Sequence, residues 1–214
     1  MKNFLIIVLV AIWSISGFAQ TSESYWGAKV GLNVSEIREA DQKDFDTSTK
    51  SGLYLEAFRN FRINDVFAIQ AGLNYSEKGG KDALESIATI DIEEKFTIAN
   101  IYLGSPVVVQ VRRGNFFSEL GFEPSFRLNT RVSVKDSGTD PDALKDVWEG
   151  RDFDLSFIAG VGYHINNLEF SLRVVPGLTK LSEEIIFTDE NGMPLSKERY
   201  GRNMVINISV GYRL

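Results

Sequence analysis

Apolar residues alternate with polar or small ones over eight stretches of this 214-residue chain. A period of two fits extended strands whose two faces meet different surroundings. In 26–33, Trp26, Ala28, Val30 and Leu32 alternate with Gly27, Lys29, Gly31 and Asn33. The pattern recurs at 52–59, 67–76, 101–111, 116–128, 153–163, 168–174 and 204–214, weakest at 52–59 and cleanest at 67–76. Segments 60–65, 112–115 and 166–167 are tight turns rich in Asn, Gly and Asp. Between them lie long polar segments at 34–50, 77–95, 129–151 and 179–202. The predicted fold class is all-β: an eight-stranded antiparallel up-and-down transmembrane β-barrel with short periplasmic turns and four long extracellular loops. Pro106, Pro124 and Pro176 each remove a ladder donor, so bulges are expected there.

Alternation does not say which phase points outward, since a soluble lipocalin-like barrel keeps its apolar phase inside. The polar phase holds Gly27, Gly31, Gly72, Gly104, Gly121, Gly160, Gly162 and Gly211. Glycine suits a water-facing strand surface poorly. Inside a narrow eight-stranded barrel it makes room for larger neighbours. The apolar phase carries Trp26, Phe67, Phe116, Tyr163, Phe170 and Tyr212 toward the short turns, and Tyr75, Phe126 and Phe153 toward the long loops. Two interfacial girdles would look like this. A water-soluble sandwich or barrel is the competing reading. Mean hydropathy of −0.09 does not separate the two, because alternating strands cancel in an average.

The one long apolar run follows Lys2 and covers 4–13, with small residues at Gly17 and Ala19. It reads as a signal peptide, residues 1–19, cleaved before Gln20 to leave a barrel domain of 20–214. A membrane anchor would need about 20 apolar residues. The absence of Cys excludes disulfides and Cys-built metal sites, and a net charge of −6 with scattered Lys and Arg argues against nucleic acid as a partner. The four long segments hold 21 acidic and 14 basic residues, so the acidity belongs to them.

With the polar phase inward, the lumen contains Lys29, Glu56, Glu119, Glu123, Arg127, Asp154, Arg173 and Arg213. Charges in so narrow an interior must pair and hydrogen-bond. Eight strands leave too little width for an aqueous channel, so a plugged polar core is expected. A proton or solute relay along the same charges is the functional alternative.

Several stretches resemble the PorT-like outer membrane protein beta-barrel domain family. Tyr102-Leu103-Gly104-Ser105-Pro106-Val107-Val108-Val109 is similar to that family's Tyr-Leu-Glu-Ile-Pro-Leu-Leu strand, with Gly104 and Ser105 in place of Glu and Ile. Phe117-Ser118-Glu119-Leu120-Gly121, the strand from Phe153-Asp154 to Ala159-Gly160-Val161-Gly162-Tyr163, and Leu172-Arg173 through Gly177-Leu178-Thr179 also fit. So does the closing Asn207-Ile208-Ser209-Val210-Gly211-Tyr212-Arg213-Leu214, although the family usually ends in Phe. The resemblance implies a bacterial outer membrane location, with outer-membrane lipid and the barrel-assembly machinery as partners, and it allows an involvement in secretion or envelope assembly.

Residues for catalysis are sparse. His164 is the only histidine and sits beside the short turn at 166–167, where it reads as an interfacial polar residue rather than a catalytic base. The acidic groups Asp41, Asp44 and Asp46, then Asp91, Glu93 and Glu94, then Asp136, Asp140 and Asp142 do not match a calcium loop and read as solvated loop faces. Divalent cations bridging these loops to anionic glycolipid is a further expectation. Gly79-Gly80-Lys81 is too short for a phosphate-binding loop. The sequence therefore predicts a non-enzymatic scaffold without cofactor or metal, displaying its loops to an unknown protein or glycan. The alternative is a narrow channel or solute-binding barrel.

Overall fold

The computed structural model describes residues 24–39, 48–81, 95–135, 151–181, 186–188, 194–196 and 201–214. The strands are β1 (Tyr25–Glu39), β2 (Lys50–Arg62), β3 (Phe67–Lys81), β4 (Lys95–Gly104), β5 (Val107–Arg113), β6 (Phe116–Lys135), β7 (Phe153–Ile165), β8 (Leu168–Pro176), β9 (Ile186–Thr188), β10 (Pro194–Ser196) and β11 (Gly201–Arg213). β4 and β5 lie end to end as one stave between β3 and β6. Every neighbouring pair is antiparallel, and β1 pairs with both β2 and β11, so eight staves close into a barrel. Closure leaves no open edge, the condition for a sheet to stand in hydrocarbon. β9 and β10, which lie between β8 and β11 in the chain, pair antiparallel as a separate two-stranded sheet.

The tight turns are made by the residues their geometry needs. Gly114 and Asn166 have positive φ, 62° and 53°. Asn64 Oδ1 accepts from the backbone N–H of Val66 at 2.9 Å and of Phe67 at 2.7 Å.

Burial is inverted relative to a water-soluble protein. Among the described residues 32 large apolar side chains are exposed and 13 apolar residues are buried, while 24 buried residues are polar or charged. Val30, Leu32, Leu73, Leu120, Val161 and Ile208 point outward at more than half exposure. Leaving such a side chain in water forgoes about 1.5–3 kcal/mol, so this surface is stable only against lipid. The expected girdle aromatics lie on the same face, with Phe116 and Tyr163 in edge contact at 4.7 Å and Phe126 and Phe153 at 5.3 Å.

Four expectations require correction. The stretch 101–111 is not one strand, because the ladder breaks at Ser105-Pro106, and Ile101, expected on the outer face, is buried (6%). Pro124 causes no bulge: its carbonyl accepts from Ser105 N–H at 2.9 Å, so its missing donor faces the gap between β4 and β5. The real bulge is at Leu128, skipped between Ile101 paired with Asn129 and Tyr102 paired with Arg127. Pro176 instead closes β8.

The fourth correction concerns the long polar segments, whose inner ends are strand. β1, β3, β4, β6 and β11 all run into them, and β6 reaches 20 residues where about 9–11 cross a bilayer. Beyond the lipid the outer face is wet, and the inside turns apolar again in a cluster of Ile37, Ile98 and Leu181. The acidic groups at 41–46, 91–94 and 136–142 and the signal peptide expected at 1–19 fall outside the described residues.

Two glycines admit the rings that fill the lower lumen. A Cβ at Gly27 would lie 2.3 Å from Cζ of Phe58, and one at Gly162 would lie 2.1 Å from Cζ of Phe117. Gly162→Val is therefore expected to destabilise the barrel by about 1–3 kcal/mol, the usual cost of overpacking. A lower urea midpoint for loss of the fast-migrating folded band on a cold detergent gel checks this, and an unchanged midpoint refutes it.

Candidate functional site

Inward positions of every stave converge on one polar network. β2 supplies Tyr54, Glu56 and Asn60, β3 Gln70, Asn74 and Lys78, β5 Gln110, β6 Glu119 and Glu123, β7 Asp154 and His164, and β8 Glu169 and Arg173, all buried. On β2, β3, β6 and β7 the period of two puts them on the same face as Gly52, Gly72, Gly121, Gly160 and Gly162.

At mid-height the network centres on Arg173, which is 1% exposed. Its Nε donates to Glu119 Oε1 at 2.5 Å, its Nη2 to Glu119 Oε2 at 3.3 Å, and its Nη1 to Glu56 Oε2 and Tyr54 Oη, both at 2.9 Å. Tyr54 Oη donates to Glu56 Oε2 at 2.8 Å, and Gln70 Nε2 to Glu56 Oε1 at 3.2 Å. Gln110 Nε2 lies 3.2 Å from both Glu119 Oε2 and Gln70 Oε1. One guanidinium fork thus holds two carboxylates from opposite sides of the barrel, a geometry suited to arginine rather than lysine.

Above it, Lys78 Nζ donates to Glu123 Oε1 at 2.8 Å and lies 3.6 Å from Asp154 Oδ2. Asn74 donates to Glu123 at 2.7 Å, and Thr179 and Asn203 donate to Asp154 at 2.7 and 3.1 Å. Below it, Lys29 Nζ stands 2.7 Å from Glu169 Oε1, and His164 Nε2 stands 3.0 Å from Glu169 Oε2. His164 also stacks on Phe117 at 4.8 Å.

Six of the eight residues expected in the lumen, Lys29, Glu56, Glu119, Glu123, Asp154 and Arg173, are buried in this network. Arg127 is half-buried, at 3.1 Å from exposed Asp152 near the long-loop end. Arg213 is half-buried at the short-turn mouth, against the ring of Tyr25 at 5.2 Å. His164 is not interfacial: it lies inside, held by Glu169. Sequence reasoning missed Glu169 and Lys78. Glu169 stands in the polar phase of β8, directly across from His164, so the strand phases contained that signal. Lys78 lies beyond the end of the alternating stretch at 67–76, and no pattern pointed to it.

Carboxylates, amides and hydroxyls here are turned toward one another rather than toward an open cleft. No group of three or more His, Cys, Asp or Glu that could hold a metal ion occurs among the described residues.

A closed antiparallel barrel with an apolar exterior and an ion-paired interior is a transmembrane β-barrel. Residues 18–183 match the family described as outer membrane protein beta-barrel domain, and the chain belongs to that family, whose place is the bacterial outer membrane. Its fold is similar to that of Neisserial surface protein A (NspA), with a TM-score of 0.51 at 12% identity over 90% of this chain and 100% of that one. Ail, the attachment invasion locus protein of Yersinia pestis, crystallised with the heparin analogue sucrose octasulfate, aligns with a TM-score of 0.44 at 11% identity over 90% and 100% of the two chains. No curated protein matches the chain in sequence.

Proposed function

We propose that the protein is a non-enzymatic scaffold: a barrel whose lumen is plugged by its own side chains and which presents its long connections to a protein or glycan outside the cell. The observation that carries this reading is the mid-lumen fork of Arg173 on Glu119 and Glu56, joined by Tyr54, Gln70 and Gln110 and buried throughout. Passage of a hydrated solute would have to break several charge-assisted hydrogen bonds in a low-dielectric interior, where each is strong and its loss costly. The extension of β1, β3, β4, β6 and β11 beyond the lipid supports a stiff stalk for those connections. The strand motifs similar to PorT-like barrels favour a role beside secretion or envelope-assembly machinery. Export by a cleaved signal peptide and insertion by the barrel-assembly machinery complete the reading.

Single-channel recording in planar bilayers tests it. The expected result is a quiet membrane after insertion, with no stable openings. Large, long-lived conductance steps would overturn the plugged scaffold in favour of a transport barrel.

A further inference from the structure

The short-turn mouth of the barrel holds a cup of about 270 Å³ whose lining includes Tyr25, Arg62, Arg112, Asn167 and Arg213. We propose that this cup binds a phosphate-type oxyanion between Arg112 and Arg213.

The first argument is charge. Each buried cation deeper in the lumen meets a carboxylate: Lys29 with Glu169, Lys78 with Glu123, Arg173 with Glu119 and Glu56. Arg112 and Arg213 meet none among the described residues. Arg112 is fixed by neutral acceptors only: its Nη2 donates to Asn60 Oδ1 at 2.8 Å, Gln110 Oε1 at 3.0 Å and Tyr25 Oη at 3.2 Å. These bonds orient the guanidinium without neutralising it. The Nε–H of Arg112 and that of Arg213 find no acceptor among the described residues.

The second argument is geometry. Both guanidiniums lie against one ring, with Arg112 Cζ 5.9 Å and Arg213 Cζ 5.2 Å from the centroid of Tyr25. Two like charges gathered on one aromatic repel each other unless an anion joins them. Glu169 does not serve, being held by Lys29 at 2.7 Å and His164 at 3.0 Å. At the rim Arg62 is occupied by Asp65 at 3.1 Å. Two uncompensated guanidiniums match a phosphate group, which carries about −1.5 to −2 at neutral pH and accepts arginine forks through paired oxygens. A soluble phosphate and the headgroup of a phospholipid at the bilayer edge share this chemistry.

The test is calorimetric titration of inorganic phosphate into the full chain folded in octyl glucoside, a detergent without phosphate. Saturable binding is expected, weakened at least tenfold by Arg112→Gln and by Arg213→Gln and abolished in the double variant. Arg113→Gln, on the exposed neighbour that ends β5, is expected to leave it unchanged. Retention of the fast-migrating folded band identifies variants that still fold. No saturable heat, full binding in the double variant, or an equal loss in Arg113→Gln would each overturn the site. Repeating the titration in mixed micelles containing phosphatidylglycerol separates the sources: suppressed phosphate binding assigns the cup to a lipid headgroup, and retained binding assigns it to a soluble oxyanion.

Discussion

Arg173→Met is expected to lower the unfolding free energy of the barrel by about 3–5 kcal/mol, the cost of stripping a buried ion pair of one partner. The variant would leave buried Glu119 and Glu56 with only Tyr54, Gln70 and Gln110 as hydrogen-bond donors. Lys29 Nζ, 3.9 Å from Glu56 Oε2, is already engaged by Glu169 at 2.7 Å and offsets only part of the loss. Arg173→Lys should recover part of the loss, since it restores the charge but not the fork that spans both carboxylates. The triple variant Arg173→Met, Glu119→Gln, Glu56→Gln should recover more than the single one, because neutral amides remove the uncompensated charge. Urea titration followed by the folded and unfolded gel bands reads all three. Equal stability of Arg173→Met and the parent would mean that the ion cluster contributes nothing to holding the staves together.

The phases of the strands made most of this fold legible. Leu32, Leu73, Leu120 and Ile208 face outward, and Lys29, Glu56, Glu119 and Arg173 face inward, as their parity requires. The stave count and the placing of the tight turns follow from the same pattern. What could not be read was any contact between distant strands. Arg173 reaches Glu119, 54 residues away, and Glu56, 117 away, and which inward residues meet at one height depends on strand tilt and register. The outer ends of the strands were hidden for a different reason. Beyond the lipid both surfaces of the wall are wet or packed on small apolar clusters such as Ile37, Ile98 and Leu181, so the alternation that marks the membrane segment disappears. Lys78 was lost with it, and so was the upper ion cluster that Lys78 organises with Glu123 and Asp154. His164 and Glu169 were within reach: continuing the phase of Asp154, Ser156 and Gly160 along β7 brings His164 inside, opposite Glu169.

The exterior carries the second large effect. Leu120 is 58% exposed and paired with Val109 and Ala159, midway along β6 between the girdle residues Phe116 and Phe126. On a water-soluble barrel, arginine at so exposed a position would change stability by less than about 0.5 kcal/mol. Against lipid, an arginine near the bilayer midplane costs about 2–4 kcal/mol. Leu120→Arg is therefore expected to reduce stability in lipid vesicles by that amount. Leu178→Arg, at an exposed site past the end of β8 toward the long-loop side, should cost about 0–1 kcal/mol, because a side chain near the interface reaches headgroups and water. The contrast between two equally conservative-looking exposed leucines separates lipid from water as the medium around the barrel. If both variants matched the parent in vesicles, the apolar face would not be the lipid-facing one. If Leu120→Arg alone falls, the depth dependence locates the hydrocarbon band on this wall, because a soluble protein has no reason to rank one exposed leucine above another by height.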